Sequence, residues 1–402
     1  MLKSFLNINV LEAAKKRVSD TFDSFDKAYI SLSGGKDSTA LFYLVTDEAR
    51  ARGRKVGVFI LDWECQYQHT VNHLLHLCEQ NSDVIELYWI CLEIETSSAC
   101  SYYEPMWRSW DERKKELWTR QKPDLAITDG SLFPFYYPGI TFEEFTPLFG
   151  EWYADGTETA CFVGIRAQES LNRHRAVTSG KVNRYQGRKY TTMVSDTVYN
   201  VYPIFDWLVD DIWTYFATTG RAYNKVYDLM HQAGLTPSQM RVDEPFGDEA
   251  RKNLWLYQII EPVTWSKFVS RLAGINSASL YSQEKGNILG NEKVSLPPGH
   301  TWESFAKFLL GTMPDNTRLH YENKLAVYLK WYYDRGYESG IPDAANYRME
   351  QIGKAPSWRL IVKTLLRNDW YCRGLGFGIT KTNAYKRYLE LMKKRRSEWN
   401  II

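Results

Sequence analysis

Six consecutive residues, Ser33-Gly34-Gly35-Lys36-Asp37-Ser38, carry more chemistry than any other stretch of this sequence. Two adjacent glycines let the backbone approach an anion closely and take positive φ. Lys36 adds an ammonium, Asp37 a carboxylate, and Ser33 and Ser38 hydroxyls. Upstream, Tyr29-Ile30-Ser31-Leu32 has the apolar, β-branched character of a buried strand, and Thr39 to Val45 continues at helical spacing. A strand that turns through glycines into a helix leaves free amides at the helix N-terminus with the helix dipole behind them. That arrangement cradles phosphate.

A second group with chemical potential begins at the end of the apolar run Thr159 to Ile165. It comprises Gly164, Arg166, Glu169, Ser170 and Arg173. Arginines leaving the end of a parallel strand face the same crevice as the glycine loop, and their planar forks suit phosphate or sulfate oxygens. A third apolar run, Lys55 to Asp62, ends in Asp62-Trp63-Glu64, which places two carboxylates at a strand end. From Gly164 to Lys189 there are seven basic residues, Arg166, Arg173, Arg175, Lys181, Arg184, Arg188 and Lys189, against the single acid Glu169. A solvated basic helix is the structural alternative for that cluster.

The glycine loop lacks the spacer and Gly-Lys-Ser/Thr ending of a Walker A motif, and the Gly-x-Gly-x-x-Gly of a dinucleotide fold. It resembles the SGGxDS loop of the PP-loop ATP pyrophosphatases. Gly164, Arg166, Glu169, Ser170 and Arg173 resemble the second signature of the phosphoadenosine phosphosulfate (PAPS) reductase family within that superfamily. Tyr202-Pro203-Ile204-Phe205-Asp206-Trp207, followed by Asp211-Ile212-Trp213, is similar to the family's downstream element. Three signatures in the expected order are far more specific than any one of them.

The resemblance implies an adenine nucleotide, ATP or PAPS, bound by Ser31, Ser33, Gly34, Gly35, Lys36, Asp37, Ser38, Asp62, Gly164, Arg166, Glu169 and Ser170. Lys36, Asp37, Arg166 and Arg173 are the implied catalytic residues, and Asp37 and Asp62 the candidates to sit near Mg²⁺. The implied reaction is attack of a substrate oxygen on the α-phosphorus with loss of pyrophosphate, which leaves an adenylylated substrate open to sulfide or an amine. A nucleic acid or a nucleotide is a candidate acceptor, given the basic cluster and an aromatic content of 15%. Two rivals stay open. One is thiol-dependent reduction of PAPS, although the family's Glu-Cys-Gly-x-His motif is absent and Cys372 stands in Tyr-Cys-Arg-Gly, where Arg373 could lower its pKa. The other is a nucleotide-sensing regulatory subunit working with a ParB-like partner.

The elements that must position these groups read as an α/β fold. A covering helix over 9–25, the cradle strand and helix, a strand at 55–62, a helix at 68–81 and a strand at 84–92 give the order of a doubly wound, mostly parallel sheet. From 93 to 156 the periodicity breaks down amid aromatics and prolines, and we expect an insertion there, with a charged helix from Arg108 to Gln121. We place the nucleotide-binding domain at 1–235 and a mainly α-helical domain at 236–402, with helices at Trp302–Gly311, Tyr321–Arg335, Trp358–Arg367 and Ala384–Asn400. Gly286 to Gly299 reads as a loop, and Lys393 to Arg396 as a basic patch. Pro356-Ser357-Trp358-Arg359 through Gly374-Leu375-Gly376-Phe377 resembles the C-terminal region of IbrA/YbdN-type proteins, a PAPS reductase-like group, and it is this resemblance that implies the ParB-like partner.

Bulk composition adds limits. A formal charge of +2 is too small to imply a polyanion partner by itself. The six cysteines include no C-x-x-C pair, which speaks for a reducing compartment and against a zinc or iron–sulfur site. No stretch approaches roughly 18 apolar residues in a row, so a cytoplasmic protein without a membrane association is expected.

Overall fold

The computed structural model describes residues 7–101, 104–178, 183–247, 253–280, 294–351 and 353–377. The chain divides into two compact units. One holds residues up to 94, 108–245 and 256–267; the other holds 95–107, 246–255 and the residues from 268 onward.

The first unit is built on a six-stranded sheet. Its strands are β1 (Lys27–Ser31), β2 (Val56–Leu61), β3 (Ile85–Ile90), β7 (Thr159–Val163), β8 (Thr191–Met193) and β9 (Val198–Val201), with short strands β4 (Ile94–Ser97), β5 (Met106–Ser109) and β6 (Ile140–Thr141) intervening in sequence. The sheet order is β3-β2-β1-β7-β9-β8. All neighbours run parallel except β8, which pairs antiparallel with β9 at the edge. β2 is almost wholly buried, as expected for a parallel strand covered on both faces.

The helices α1 (Val10–Phe22), α2 (Lys36–Ala51) and α3 (Gln68–Gln80) follow the expected spans within a few residues. Asn9 caps α1 by accepting from the Glu12 amide at 2.8 Å, and Ala14, Val18 and Phe22 form its buried face. The chain leaves β1 to build β2 and β3 on one side and returns to place β7 on the other. The strand order therefore reverses between β1 and β7, where an open parallel sheet opens its crevice.

Two expectations for 93–156 need correction. The stretch contains a regular helix, α4 (Phe142–Ala154), despite Pro147 within it. Phe145 and Phe149 bury completely against Phe59, Phe133 and their neighbours, so aromatic packing outweighs the local penalty for proline. The charged helix expected from Arg108 to Gln121 is instead the end of β5 followed by a 3₁₀ segment, Glu112–Leu117, broken at Lys114 (φ −115°, ψ 25°). Trp110 fixes this segment from its start, its amide donating to Glu64 Oε2 at 2.8 Å and its indole to the Asp62 carbonyl at 2.9 Å.

In the second unit, three helices, Trp302–Thr312, Asp315–Tyr333 and Trp358–Leu366, pack around Ala306, Tyr321, Ile361, Val362 and Leu365. The second of these, Asp315–Tyr333, begins about a turn and a half before the expected start at Tyr321. Asn368 ties segments together, accepting from the Tyr321 hydroxyl at 3.0 Å and donating to the Ser98 and Ser101 carbonyls. The expected helix at 384–400 with its basic patch, and residues 286–293 of the expected loop, lie outside the described residues. Among the described residues no helix is long and apolar enough to cross a membrane.

Candidate active site

Between the ends of β1 and β7 and the N-terminus of α2 lies a cavity of about 190 Å³. Ser31, Ser33, Gly35, Lys36, Asp37 and Ser38 form one wall and Val163, Gly164, Ile165, Glu169 and Arg173 a second; Tyr227, Arg241, Val242 and Asp243 close a third. All belong to the first unit.

The loop geometry follows from its glycines. Gly34 has φ +74°, and a side chain there would strike Thr70 Cγ2 at 2.8 Å, so only glycine fits. Gly35 is the N-cap of α2, with extended backbone and no side-chain cap of its own. Ser38 reaches back, its hydroxyl 3.0 Å from that of Ser33 and donating to the Gly35 carbonyl at 3.1 Å. Asn224 locks the turn from outside by donating to the Gly34 carbonyl at 3.0 Å and to Thr70 Oγ1 at 2.9 Å.

Charge alternates across the site. Lys36 Nζ lies 3.3 Å from Asp37 Oδ2 and donates to the Met240 carbonyl at 3.1 Å. Asp37 Oδ1 accepts from Arg166 Nε at 2.5 Å. Arg166 lies 3.7 Å from Glu169, whose other oxygen pairs with Arg173. Arg241 adds a bond to the Glu169 carbonyl at 3.2 Å. Lys36 and Arg166 are almost fully buried, so each charge depends on its partner for solvation.

The sequence-predicted residues thus separate into three groups. Ser31, Ser33, Gly35, Lys36, Asp37, Ser38, Gly164, Glu169 and Arg173 meet at the cavity. Gly34, Arg166 and Ser170 stand behind it: Gly34 shapes the turn, Arg166 holds Asp37, and the Ser170 hydroxyl accepts from the Arg173 amide at 3.2 Å. Asp62 does not line the cavity. It is buried, accepting from the Trp89 indole at 2.7 Å and the Glu64 amide at 2.8 Å and pairing with Arg120.

The pairing of Asp37 and Asp62 with arginines also bears on Mg²⁺. Asp62 stands away from the cavity in its pairing with Arg120, whereas Asp37 lines the cavity with its carboxylate shared between Arg166 and Lys36; among the described residues no group of three His, Cys, Asp or Glu is placed to hold an ion. The donor set does fit a polyanion: a helix N-terminus, three serines, an ammonium and two guanidinium groups.

Two further expectations change. Within the basic cluster, Arg184 donates to the Val177 and Thr191 carbonyls at 2.8 Å each, and Arg188 to the Asp20 carbonyl at 3.0 Å; these cations hold loops together rather than present a basic face. Lys181 lies outside the described residues. The Cys372 thiol is pushed up to about 12, first by burial and then by the Asp369 carboxylate, so Arg373 does not activate it. Cys161 inside β7 is likewise pushed up to about 12 by burial. All six cysteines are buried, none joins a disulfide, and none lines the cavity.

The downstream signature serves the scaffold. Arg17 of α1 grips Asp206 with both nitrogens at 2.8 and 2.7 Å, and the Trp207 indole donates to the Val10 carbonyl at 3.0 Å. The Phe205 carbonyl accepts from the Ala167 amide at 2.8 Å, which fixes the turn that carries Arg166. Sequence reasoning missed Asn224, Tyr227, Met240, Arg241 and Asp243. Tyr223-Asn224 through Tyr227 has neither strand nor long helical periodicity, and the helix Val226–Gln232 is only 7 residues long.

The chain matches known proteins over most of its length. Residues 27–233 match the phosphoadenosine phosphosulfate reductase domain, and 234–341 a domain of unknown function, DUF3440. Among solved structures, the chain is similar to the PAPS reductase of Candida auris in its phosphate complex (12% identity, TM-score 0.31, covering 57% of this chain and 95% of that one). It is also similar to the FMN adenylyltransferase of Candida glabrata in complex with ATP (14% identity, TM-score 0.32, covering 54% and 57%). The Escherichia coli (strain K12) protein YbdN, described as uncharacterized, is 40% identical over 400 residues, 99% of this chain and 97% of YbdN. A domain match spanning half the sequence and a relative aligned from end to end together place the chain in the PAPS reductase domain family.

Proposed function

We propose that this protein binds an adenine nucleotide through the Ser33–Ser38 loop and activates an acceptor by adenylylation with release of pyrophosphate. The supporting observation is the cavity at the β1/β7 reversal, where Lys36, Arg173 and Arg241 meet a helix N-terminus. ATP would supply the electrophilic α-phosphorus: an acceptor oxygen forms the new P–O bond as the bond to the β-phosphate oxygen breaks, and pyrophosphate leaves with the electron pair. The chain's part is electrostatic. Lys36 and Arg173 stabilise charge on the phosphoryl oxygens, and the Asp37–Arg166–Glu169 chain of ion pairs holds them in place before the ligand arrives. Magnesium, where required, would be held by phosphate oxygens and water. In this reading the nucleotide-binding unit runs past the expected boundary at 235 to Pro245, so that it includes Arg241 and Asp243.

Reduction of PAPS by a protein thiol finds less support, because the cavity wall contains no cysteine. Calorimetric titration with ATP·Mg²⁺ and with PAPS, followed by a pyrophosphate-release assay with and without short DNA or RNA, tests the proposal. ATP binding with pyrophosphate release is expected, and stimulation by a nucleic acid would identify the acceptor class. Tight PAPS binding with no pyrophosphate from ATP would overturn it in favour of sulfonucleotide chemistry or sensing.

A further inference from the structure

Tyr227 makes an unusual contact with the cradle. Its hydroxyl oxygen accepts from the backbone amide of Lys36 at 2.9 Å, taking up one of the first amides of α2. In most anion-binding helix N-termini such an amide faces the ligand directly. Here the phenol takes that amide and itself lines the cavity, and the hydroxyl has room because position 35 is glycine: a Cβ there would come within 3.4 Å of it.

The phenol has a proton of its own. A tyrosine hydroxyl can accept and donate at once. Among the described residues its oxygen makes only the bond from Lys36, and no acceptor for its own proton is within hydrogen-bond reach, although Tyr227 is 98% buried and lines the cavity. A buried donor without an acceptor is costly, so such a group is expected to find its partner in something that enters the cavity. The ring is fixed, with Trp213 edge-on at 5.6 Å and Lys36 Nζ 5.3 Å from its centroid.

We infer that Tyr227 is a nucleotide-positioning residue that relays the α2 N-terminus into the cavity, accepting from the Lys36 amide while donating its own O–H to a phosphoryl oxygen of the bound ligand. This rests on the reading of the cavity as a nucleotide site. The ligand chemistry follows from the geometry: the O–H needs a strong acceptor beside Lys36, and a phosphate oxygen supplies one. Burial, and next the nearby Asp37 carboxylate, raises the hydroxyl well above its ordinary pKa, so it remains a proton donor across the working range. Asp243 and Glu169 act on it in the same direction.

The test is Tyr227→Phe in the full-length protein, which keeps the ring and removes only the hydroxyl. Calorimetry with ATP and with inorganic pyrophosphate, beside thermal unfolding without ligand, provides the readouts. The expected result is about tenfold weaker binding of both probes, the worth of one hydrogen bond to a charged acceptor, with the unliganded midpoint within a few degrees of wild type. Equal or tighter binding by the variant would overturn the relay and make the hydroxyl a spectator or a plug. A fall in the unliganded midpoint with unchanged affinity would reduce Tyr227 to a scaffold residue. If the wild-type protein binds neither probe, the nucleotide reading fails as well, a result distinct from loss of the Tyr227 role alone.

Discussion

Gly164 at the end of β7 and Ser38 in the first turn of α2 approach each other backbone to backbone, so that a Cβ on Gly164 would stand 2.9 Å from Ser38 Cα and 3.0 Å from Ser38 N. Neither neighbour is a flexible side-chain tip that could move aside. The two signatures read from the sequence, one around the glycine loop and one around Gly164, are therefore halves of a single contact. Its width sets how far the Arg166 turn stands from the cradle.

Gly164→Ala should force these backbones apart by several tenths of an ångström. Overpacking of this kind costs about 1–3 kcal/mol. Loss of nucleotide affinity is expected to exceed what that destabilisation explains, because the displaced group is α2's N-terminus itself. Urea unfolding alongside ATP titration separates the two; a variant with wild-type affinity would mean that the cradle tolerates a wider gap.

Asp37→Asn removes the carboxylate that Arg166 meets at 2.5 Å and leaves a guanidinium that is only 4% exposed. Breaking a buried pair from one side costs about 3–5 kcal/mol. Glu169 remains 3.7 Å from Arg166, so the low end of that range is expected. The double variant Asp37→Asn/Arg166→Met should recover part of the loss in a denaturation series, since it no longer strands a charge. If the double variant were as unstable as the sum of the singles, the pair would not be coupled.

His73 supplies a pH dependence outside the site. It is buried in α3, its Nε2 3.1 Å from Thr39 Oγ1 in α2, and burial first, then the nearby His76, pushes its pKa from 6.5 down to about 4. Because the folded value lies below the unfolded one, the unfolded chain takes up a proton below pH 6.5 that the folded chain refuses. Stability should therefore fall as pH drops from 6.5 towards about 4 and level off below, where both states are protonated. The slope from this residue is up to about 1.4 kcal/mol per pH unit. Urea midpoints at pH 7.5, 6 and 5 check this against His73→Gln, which keeps a polar partner for Thr39 but does not titrate. Parallel slopes for the two proteins would assign the effect to other groups.

The cradle, the sheet and most helix spans were legible in the sequence because each is a local pattern: apolar runs of strand length, helical spacing, two glycines at a turn. What was not legible depends on distant residues. The Asp37–Arg166 pair joins positions 129 apart, and Asn224 and Tyr227 reach the loop from about 190 residues away. Asp62 looked like a ligand because it ends a strand, but Trp89 and Arg120, which occupy it, come from β3 and the insertion. α4 escaped notice because Pro147 signals a break, whereas the phenylalanines that hold the helix count only once the sheet is there to receive them.

Lys36→Met tests the charge of the cradle with the least change of shape. The Lys36 side chain is buried and three contacts hold it: Nζ donates to the Met240 carbonyl at 3.1 Å, pairs with Asp37 at 3.3 Å and lies 5.3 Å from the Tyr227 ring centroid. Methionine fills a similar volume along that path. Asp37 keeps Arg166 as its partner, and the main loss in the unliganded protein is one donor to the Met240 carbonyl, about 1 kcal/mol. Binding of a polyphosphate loses a full positive charge in a partly desolvated site, so ATP affinity should fall about tenfold or more. The salt dependence of binding should become shallower too, since one fewer cation contributes to the attraction. Titration at two ionic strengths measures both effects. Unchanged affinity and an unchanged salt slope would place the phosphates elsewhere and remove Lys36 from the site.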